Sequence, residues 1–488
     1  MDYIAGIDIG SASTKGIMID IDSGNYFTSN RLHALKISSQ GVSEDKSERF
    51  FEEVIAVLKE MMRIADISPN KLRTISISGF ESVSFIGENG SEVRPMISYL
   101  DSRSEDISRD FGRKVGEDLI FEITKNRPSS IFEGYKLLWA FEDSEVKNRT
   151  RKVLDVAKYS VLRLTGNYVI DRSTAMLFAP FYNQIKSSWS DDIIDMAKLS
   201  SDIFPLIKES HDLSGTILKE VADKYGLSPE TRVTVGTQDA YASLLADGVV
   251  SIGDSSFIYA TSGVFDIIHD GEKFSNSFAN TRHVLPGVYV AEAAMYNAGS
   301  LLNWFGGITG RKLKSLDKAA SKRKRPGEII ALPFFSGERA PIWNNKIRGA
   351  FRGVSLEHGI ADIYLSLLES IGFWLRYTLS IAEKSGLKVE RIVAGGGGSK
   401  SSIWTQIVSD IIGRDQEIKI SQGAAEGDLF ISKKAEGLIK DYSELKKTVK
   451  TKKTIKYNSR LHDEYTHRYD CFTKFLEEEI ARTVKVQQ

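Results

Sequence analysis

Tyr3-Ile4-Ala5-Gly6-Ile7-Asp8-Ile9-Gly10-Ser11-Ala12-Ser13-Thr14-Lys15-Gly16-Ile17-Met18-Ile19-Asp20 opens the chain, and its pattern returns past the middle. There Phe257-Ile258-Tyr259-Ala260 runs into Thr261-Ser262-Gly263 and on into Val264-Phe265-Asp266-Ile267-Ile268. Both stretches read as an apolar strand, a tight turn of small hydroxyl residues and glycine, and a second apolar strand. Turns of this kind expose backbone N–H groups and hydroxyls with no bulky side chain in the way, which suits polyphosphate. One such turn in each half predicts two similar domains closing on one nucleotide.

Length and composition agree with that division. A chain of 488 residues exceeds what one hydrophobic core serves. Its apolar share of 41% is ordinary for a globular protein. Lys+Arg and Asp+Glu are both 65, so the formal charge is zero and no global field favours nucleic acid. The basic runs Lys322-Arg323-Lys324-Arg325 and 446–456 read as solvated loops rather than as nucleic-acid contacts. Cys471 is the single cysteine, so no internal disulfide or cysteine-based zinc cluster forms, as fits a reducing cytoplasm. Asp2 and Asp8 stand where a signal peptide needs basic and then apolar residues. No apolar run is long enough to span a bilayer, so a cytoplasmic protein without a membrane partner is expected.

The periodicity predicts a helix over 47–65, a strand over 72–78 ending at Gly79, and a short strand over 83–86. With the hairpin at its head, this β-β-β-α-β order is similar to the ribonuclease-H-like unit. A short strand over 232–235 then leads to Gly236-Thr237-Gln238-Asp239 and a helix. In the second half the hairpin precedes a strand over 289–291, a helix over 299–305, a long amphipathic helix over 361–384 and a strand over 391–394. A helix over 460–484 closes the chain. The boundary falls near 247–253, giving domains 1–247 and 248–488.

Several residue types in this pattern could carry chemistry. Asp8 ends an apolar strand immediately before the phosphate-type turn, where a carboxylate can hold Mg²⁺ through water, or merely fix a surface hairpin. Lys15 could meet a phosphate as a point charge. Asp239, at a helix N-terminus, is either an N-cap or a general base taking a hydroxyl proton during phosphoryl transfer. Gly395-Gly396-Gly397-Gly398 lies between a strand and a helix, so a ligand could lie against bare backbone, although a flexible connector reads the same way. Glu81, Asp101 and Arg103 suit a small hydroxylated substrate, or surface ion pairs.

The order of these pieces is more specific than any one of them, and it resembles the FGGY carbohydrate kinases. Asp8-Ile9-Gly10-Ser11-Ala12-Ser13-Thr14-Lys15 is similar to the family's first phosphate motif, and Ala260-Thr261-Ser262-Gly263-Val264 to its second. Leu332-Pro333-Phe334-Phe335-Ser336-Gly337-Glu338-Arg339-Ala340-Pro341 closely resembles the Pro-x-x-x-Gly-Glu-Arg-x-Pro segment. Ala298-Gly299-Ser300-Leu301-Leu302-Asn303-Trp304 looks like the nucleotide-contacting helix, and the four glycines with Trp404 and Gln406 like the adenosine loop. The resemblance covers almost the whole chain, in order.

The resemblance implies an α/β fold of two actin-like, ribonuclease-H-like ATPase domains flanking a catalytic cleft. It implies ATP-dependent phosphorylation of a small sugar or polyol hydroxyl, with Asp239 as base and Asp8 holding Mg²⁺. Ser11, Ser13, Lys15, Thr261, Ser262 and Gly263 would surround the phosphates. Gly299, Asn303, Gly396, Gly397 and Ser401 would line the adenosine pocket. Phe80, Glu81, Asp101 and Ala240 would join Asp239 around the substrate, and a homodimer is the family-level expectation. Departures from the pattern fall on the substrate side. Gly79-Phe80-Glu81 stands where xylulokinases carry Gln-Met-His and glycerol kinases Gln-Arg-Glu. Ala240 replaces Asn or Gln, and Gly423-Ala424-Ala425-Glu426-Gly427-Asp428 is more acidic than the usual alanine-rich stretch. A xylulose-like pentulose is the first substrate expectation, with glycerol or gluconate next. Two readings of another class are an actin-like ATPase and a catalytically weak sugar-binding regulator.

Overall fold

The computed structural model describes residues 2–38 and 40–485. Two compact units emerge from it. The first comprises Met1–Val250, Thr281–Pro286 and Ser421–Thr448; the second comprises Ser251–Asn280, Gly287–Ile420 and Val449–Gln488. Two later segments, Thr281–Pro286 and Ser421–Thr448, therefore group with the first unit.

Strand Tyr3–Ile9 is central in the first unit's sheet, and every one of its residues is buried. It pairs antiparallel with Ser13–Asp20 on one side and parallel with Leu72–Gly79 on the other. Tyr26–Leu32 extends the hairpin side, while Arg232–Thr234 and Leu213–Thr216 extend the other. Helix Ser47–Ile64 covers one face with Phe50, Phe51, Val54, Leu58 and Met61, the helical spacing read from the sequence.

Helix Ala424–Ala435 covers the opposite face. Ala425 and Leu429 pack on Ile4 and Ile17. The approach is close enough to need glycine: a Cβ on Gly427 would stand 1.8 Å from the Ala242 carbonyl oxygen, in helix Asp239–Ala246. The stretch that read only as unusually acidic is thus the start of a core helix.

The second unit repeats the sheet. Asp254–Tyr259 pairs antiparallel with Gly263–His269 and parallel with Arg391–Gly395. Tyr289–Met295 extends one side and Gln416–Lys419 the other. In both units the order is therefore third, second, first, fourth and fifth strand, the hairpin forming the second-first pair. Helix Ile360–Lys384 supplies the largest apolar face, including fully buried Trp374, and helix Ser459–Lys485 packs Tyr465 and Phe472 into the same core. No helix among the described residues is long and apolar enough to cross a membrane.

Candidate active site

In the first unit the turn between the paired strands is held from behind. The Gly10 amide donates to the Ser13 carbonyl at 3.0 Å. His33 bridges the Gly10 carbonyl and Glu53, at 2.7 Å each, and Glu53 also accepts from Thr14 at 2.7 Å. The loop is therefore fixed without using the hydroxyls of Ser11 and Ser13. Lys15 is exposed and lies opposite Asp8 in the strand register.

Asp8 ends its strand in a buried position, and its Oδ1 has no hydrogen-bond partner. Burial pushes its carboxyl up to about 8, Asp239 adds to the shift, and Lys15 and Ser78 oppose it. A buried carboxylate with an oxygen left open fits a cation that keeps most of its water and its phosphate ligands. No cluster of three or more His, Cys, Asp or Glu able to hold a metal exists among the described residues.

Asp239 starts helix Asp239–Ala246 on strand pair Thr237–Gln238, which runs parallel to the end of Leu72–Gly79. The cap is Gln238, whose Oε1 accepts from the Ala240 amide at 3.1 Å while its Nε2 donates to Asp239 at 2.7 Å. Asp239 is thus the first residue inside the helix, not its N-cap, and its carboxylate is held toward the strand ends. Burial pushes it up to about 6, with the negative charge of Asp155 contributing in the same direction. That value lets it accept a proton near neutral pH.

Beneath these two carboxylates lies a buried network that sequence reasoning missed. Lys158 pairs with Asp171 at 3.0 Å and stands 3.9 Å from Asp155. Burial disfavours the ammonium, but Asp171 and Asp155 outweigh it and hold its pKa above the ordinary lysine value. Asp171 also accepts from Ser173 and from Thr237, the latter at 3.1 Å. Asp428, from the returning helix, accepts from Ser78 at 2.5 Å and Ser76 at 3.3 Å, and burial with the nearby Asp8 pushes it well up. These partners are scattered along the chain, so no local motif could reveal them.

The expected substrate residues separate into two groups. Ala240 is exposed beside Asp239, and Glu81 is partly exposed. Phe80, in contrast, is 2% exposed and packs edge-on against Phe50, with Tyr99 on its other side. Asp101 is 4% exposed and occupied by the Ser43 amide and by Arg103. Phe80 is thus an apolar ring in the core, and both oxygens of Asp101 have protein donors.

The second unit carries a cavity of about 650 Å³. Among the expected nucleotide residues, Thr261, Gly299, Asn303, Gly397 and Ser401 line it, together with Tyr259, Leu302, Asp317, Tyr364 and Trp404. Ser262, Gly263 and Gly396 do not line it. Gly263 is buried in the strand pairing with Tyr259 and Met295. Gly396 makes the bend: its φ is +80°, and a Cβ there would stand 2.6 Å from the Tyr259 carbonyl. Ser401 caps helix Ser402–Ile412 and donates to Asp317 at 2.8 Å, which also accepts from Tyr364 at 2.8 Å. An apolar slot with a few fixed polar groups suits a nucleoside. Glu338 of the Gly-Glu-Arg segment is 2% exposed, and burial pushes its carboxyl well up.

A phosphate-type turn, two tuned carboxylates at one sheet end and a nucleoside-sized cavity on a repeated ribonuclease-H-like sheet define an actin-like phosphotransferase. Comparison with known proteins narrows the class. Residues 3–246 match the N-terminal domain, and residues 248–429 the C-terminal domain, of the FGGY family of carbohydrate kinases. Xylulose kinase of Lactococcus lactis is 30% identical over 443 residues, covering 88% of this chain and 87% of that protein. Gluconokinase of Bacillus subtilis is 26% identical, covering 84% and 82%. Among solved structures, ligand-bound xylulose kinase from Lactobacillus acidophilus superposes with a TM-score of 0.92 at 23% identity, both chains fully covered. Plasmodium falciparum glycerol kinase with ADP superposes with a TM-score of 0.88 at 19% identity, with 98% of each chain covered. The chain belongs to the FGGY family of carbohydrate kinases. It is a carbohydrate kinase, transferring phosphate from ATP to a sugar hydroxyl.

Proposed function

We propose that the acceptor is a small ketose, a pentulose such as xylulose, phosphorylated at a terminal hydroxyl. The observation that carries the chemistry is Asp239: a carboxylate tuned to about 6, held at a helix start beside exposed Ala240. In this reading Asp239 takes the hydroxyl proton as the oxygen attacks the γ-phosphorus, and ADP leaves. The turns Gly10–Ser13 and Thr261–Gly263, with Lys15, supply N–H groups, hydroxyls and positive charge to the phosphate oxygens. The cavity around Asn303, Ser401 and Trp404 takes the nucleoside. Asp8 would hold a Mg²⁺ ion, which supplies charge neutralisation of the phosphates when bound. The 30% identical relative named xylulose kinase supports the pentulose.

A sugar acid is the second reading, because a gluconokinase stands among the relatives. Coupled ADP release over a panel of ketoses, polyols and aldonates tests both. Pentulose-dependent ADP production well above the sugar-free rate is expected. Turnover confined to aldonates or to glycerol would replace the pentulose, and sugar binding without any phosphorylated product would make the chain a regulator.

A further inference from the structure

Helix Leu313–Ala320 buries Leu316 and Ala320 in the second unit's core and sets Asp317 in the wall of the cavity of about 650 Å³. Asp317 is only partly buried, yet both of its oxygens are fixed. Tyr364 donates its hydroxyl to Oδ1 and Ser401 donates to Oδ2, each at 2.8 Å. Tyr364 reaches the wall from inside the core: it is 1% exposed, and its ring stacks on Phe305. Burial and the Asp317 carboxylate both hold its proton on the oxygen. Ser401 is fixed in turn as the cap of helix Ser402–Ile412, its Oγ accepting from the Trp404 amide at 3.4 Å. All three side chains line the cavity.

Proton accounting gives this wall its character. A hydroxyl has one proton to donate, and both hydroxyl protons are spent on Asp317. What the three side chains offer a ligand is lone pairs: a further pair on each Asp317 oxygen, and those left on Ser401 and Tyr364. Lys314 and Lys400 also line the cavity, but both are exposed, with ammoniums that reach water on flexible stems. Leu302, Leu313 and Trp404 supply apolar lining. Fixed acceptors in a largely apolar slot pair with an N–H or O–H donor and repel an oxygen that can only accept.

Resting on the reading that this cavity takes the nucleoside, we propose that Asp317 selects the nucleotide. Its carboxylate accepts an N–H or O–H donor of the nucleoside, while Tyr364 and Ser401 act through it by holding its plane. Adenosine carries two kinds of donor, the exocyclic amino group of the base and the ribose hydroxyls. Hypoxanthine and guanine place a carbonyl oxygen where adenine has its amino group, and a deoxyribose lacks one hydroxyl. An analogue without the required donor leaves the lone pairs of the wall unmet.

Calorimetric binding of ADP, IDP, 2′-deoxy-ADP and 3′-deoxy-ADP without sugar, on wild type, Asp317→Asn and Asp317→Ala, tests this. Wild type should prefer ADP to at least one analogue by about 10- to 100-fold, the worth of a hydrogen bond to a charged group. Asp317→Ala should weaken ADP by a similar factor and erase that preference, with a melting temperature near that of wild type. Asp317→Asn keeps the shape and should reduce the same preference, which covers a folding failure of the alanine variant. Loss of the preference over IDP places the donor on the base; loss of the preference over a deoxy analogue places it on the ribose. Wild type without any such preference, or variants that keep it in full, overturn the proposal. Gly397→Leu separates this inference from the reading beneath it. Gly397 lines the cavity and has open space where its Cβ would stand, so leucine fills the slot without a backbone clash. If Gly397→Leu abolishes ADP binding while the Asp317 variants keep the wild-type preference, this inference alone fails. If Gly397→Leu leaves ADP affinity unchanged, the nucleoside lies elsewhere and both fail.

Discussion

At the residue scale, two carboxylates placed within reach of each other's charge do different work because their surroundings differ. Asp239 is pushed up to about 6 by burial and by Asp155, and a base works in its deprotonated form. The sugar-dependent kcat/KM should therefore fall below about pH 6 and level off above it, as a pH–rate profile would show. Asp239→Asn should remove that limb and lower kcat by about 10²- to 10⁴-fold; near-normal turnover would reassign the base. Asp155→Asn keeps an N-cap oxygen for the Lys158 amide but removes a like charge, so the limb should move to lower pH. Asp8 carries the opposite lesson. Its folded pKa, pushed up to about 8, exceeds the unfolded value near 4, so the native state binds the extra proton between them. Stability contributed by that proton falls as pH rises through this window and is gone above about 8. Asp8→Asn should accordingly melt higher than wild type at pH 8, by roughly 1–3 kcal/mol in urea titrations without ligand, with no gain near pH 4, while losing activity. Asp8 and Asp239 were legible in the sequence because each sits at a strand end or helix start within a few residues of its motif. Asp155, Asp171 and Lys158 were not, because burial and mutual pairing across the chain bring them together.

At the element scale, the returning helix Ala424–Ala435 is decided by backbone approach. Gly427 faces the Ala242 carbonyl at a distance no side chain survives. Gly427→Val should cost several kcal/mol or abolish soluble expression, since the obstacle is backbone and cannot rotate away. Gly307, in helix Gly299–Thr309, has open space where its Cβ would stand. Gly307→Ala should instead be neutral or stabilise by roughly 0.5–1 kcal/mol in a thermal or urea melt. Helix Ser47–Ile64 was readable from its apolar spacing, with an end one residue short of the expected one. The returning helix was not, because its small residues and buried Asp428 carry no helical stripe.

At the scale of the whole molecule, the chain closes its first unit with a segment that arrives more than 170 residues after Val250. Residues 1–250 alone leave the face holding Ile4 and Ile17 uncovered. That fragment should show no cooperative urea transition, whereas residues 1–250 joined through a flexible linker to 421–448 should recover one by circular dichroism. A cooperative transition in the shorter fragment would show that the helix is dispensable.

Contiguous residues with a period of two were enough to set the repeated hairpin and the ribonuclease-H-like strand order built around it. Three-dimensional packing alone places 421–448 with the first unit, buries Phe80 and Asp101, and gathers Lys158 with Asp155 and Asp171. Those facts depend on which atoms share a low-dielectric interior, and the order of residues along the chain does not encode that distance locally.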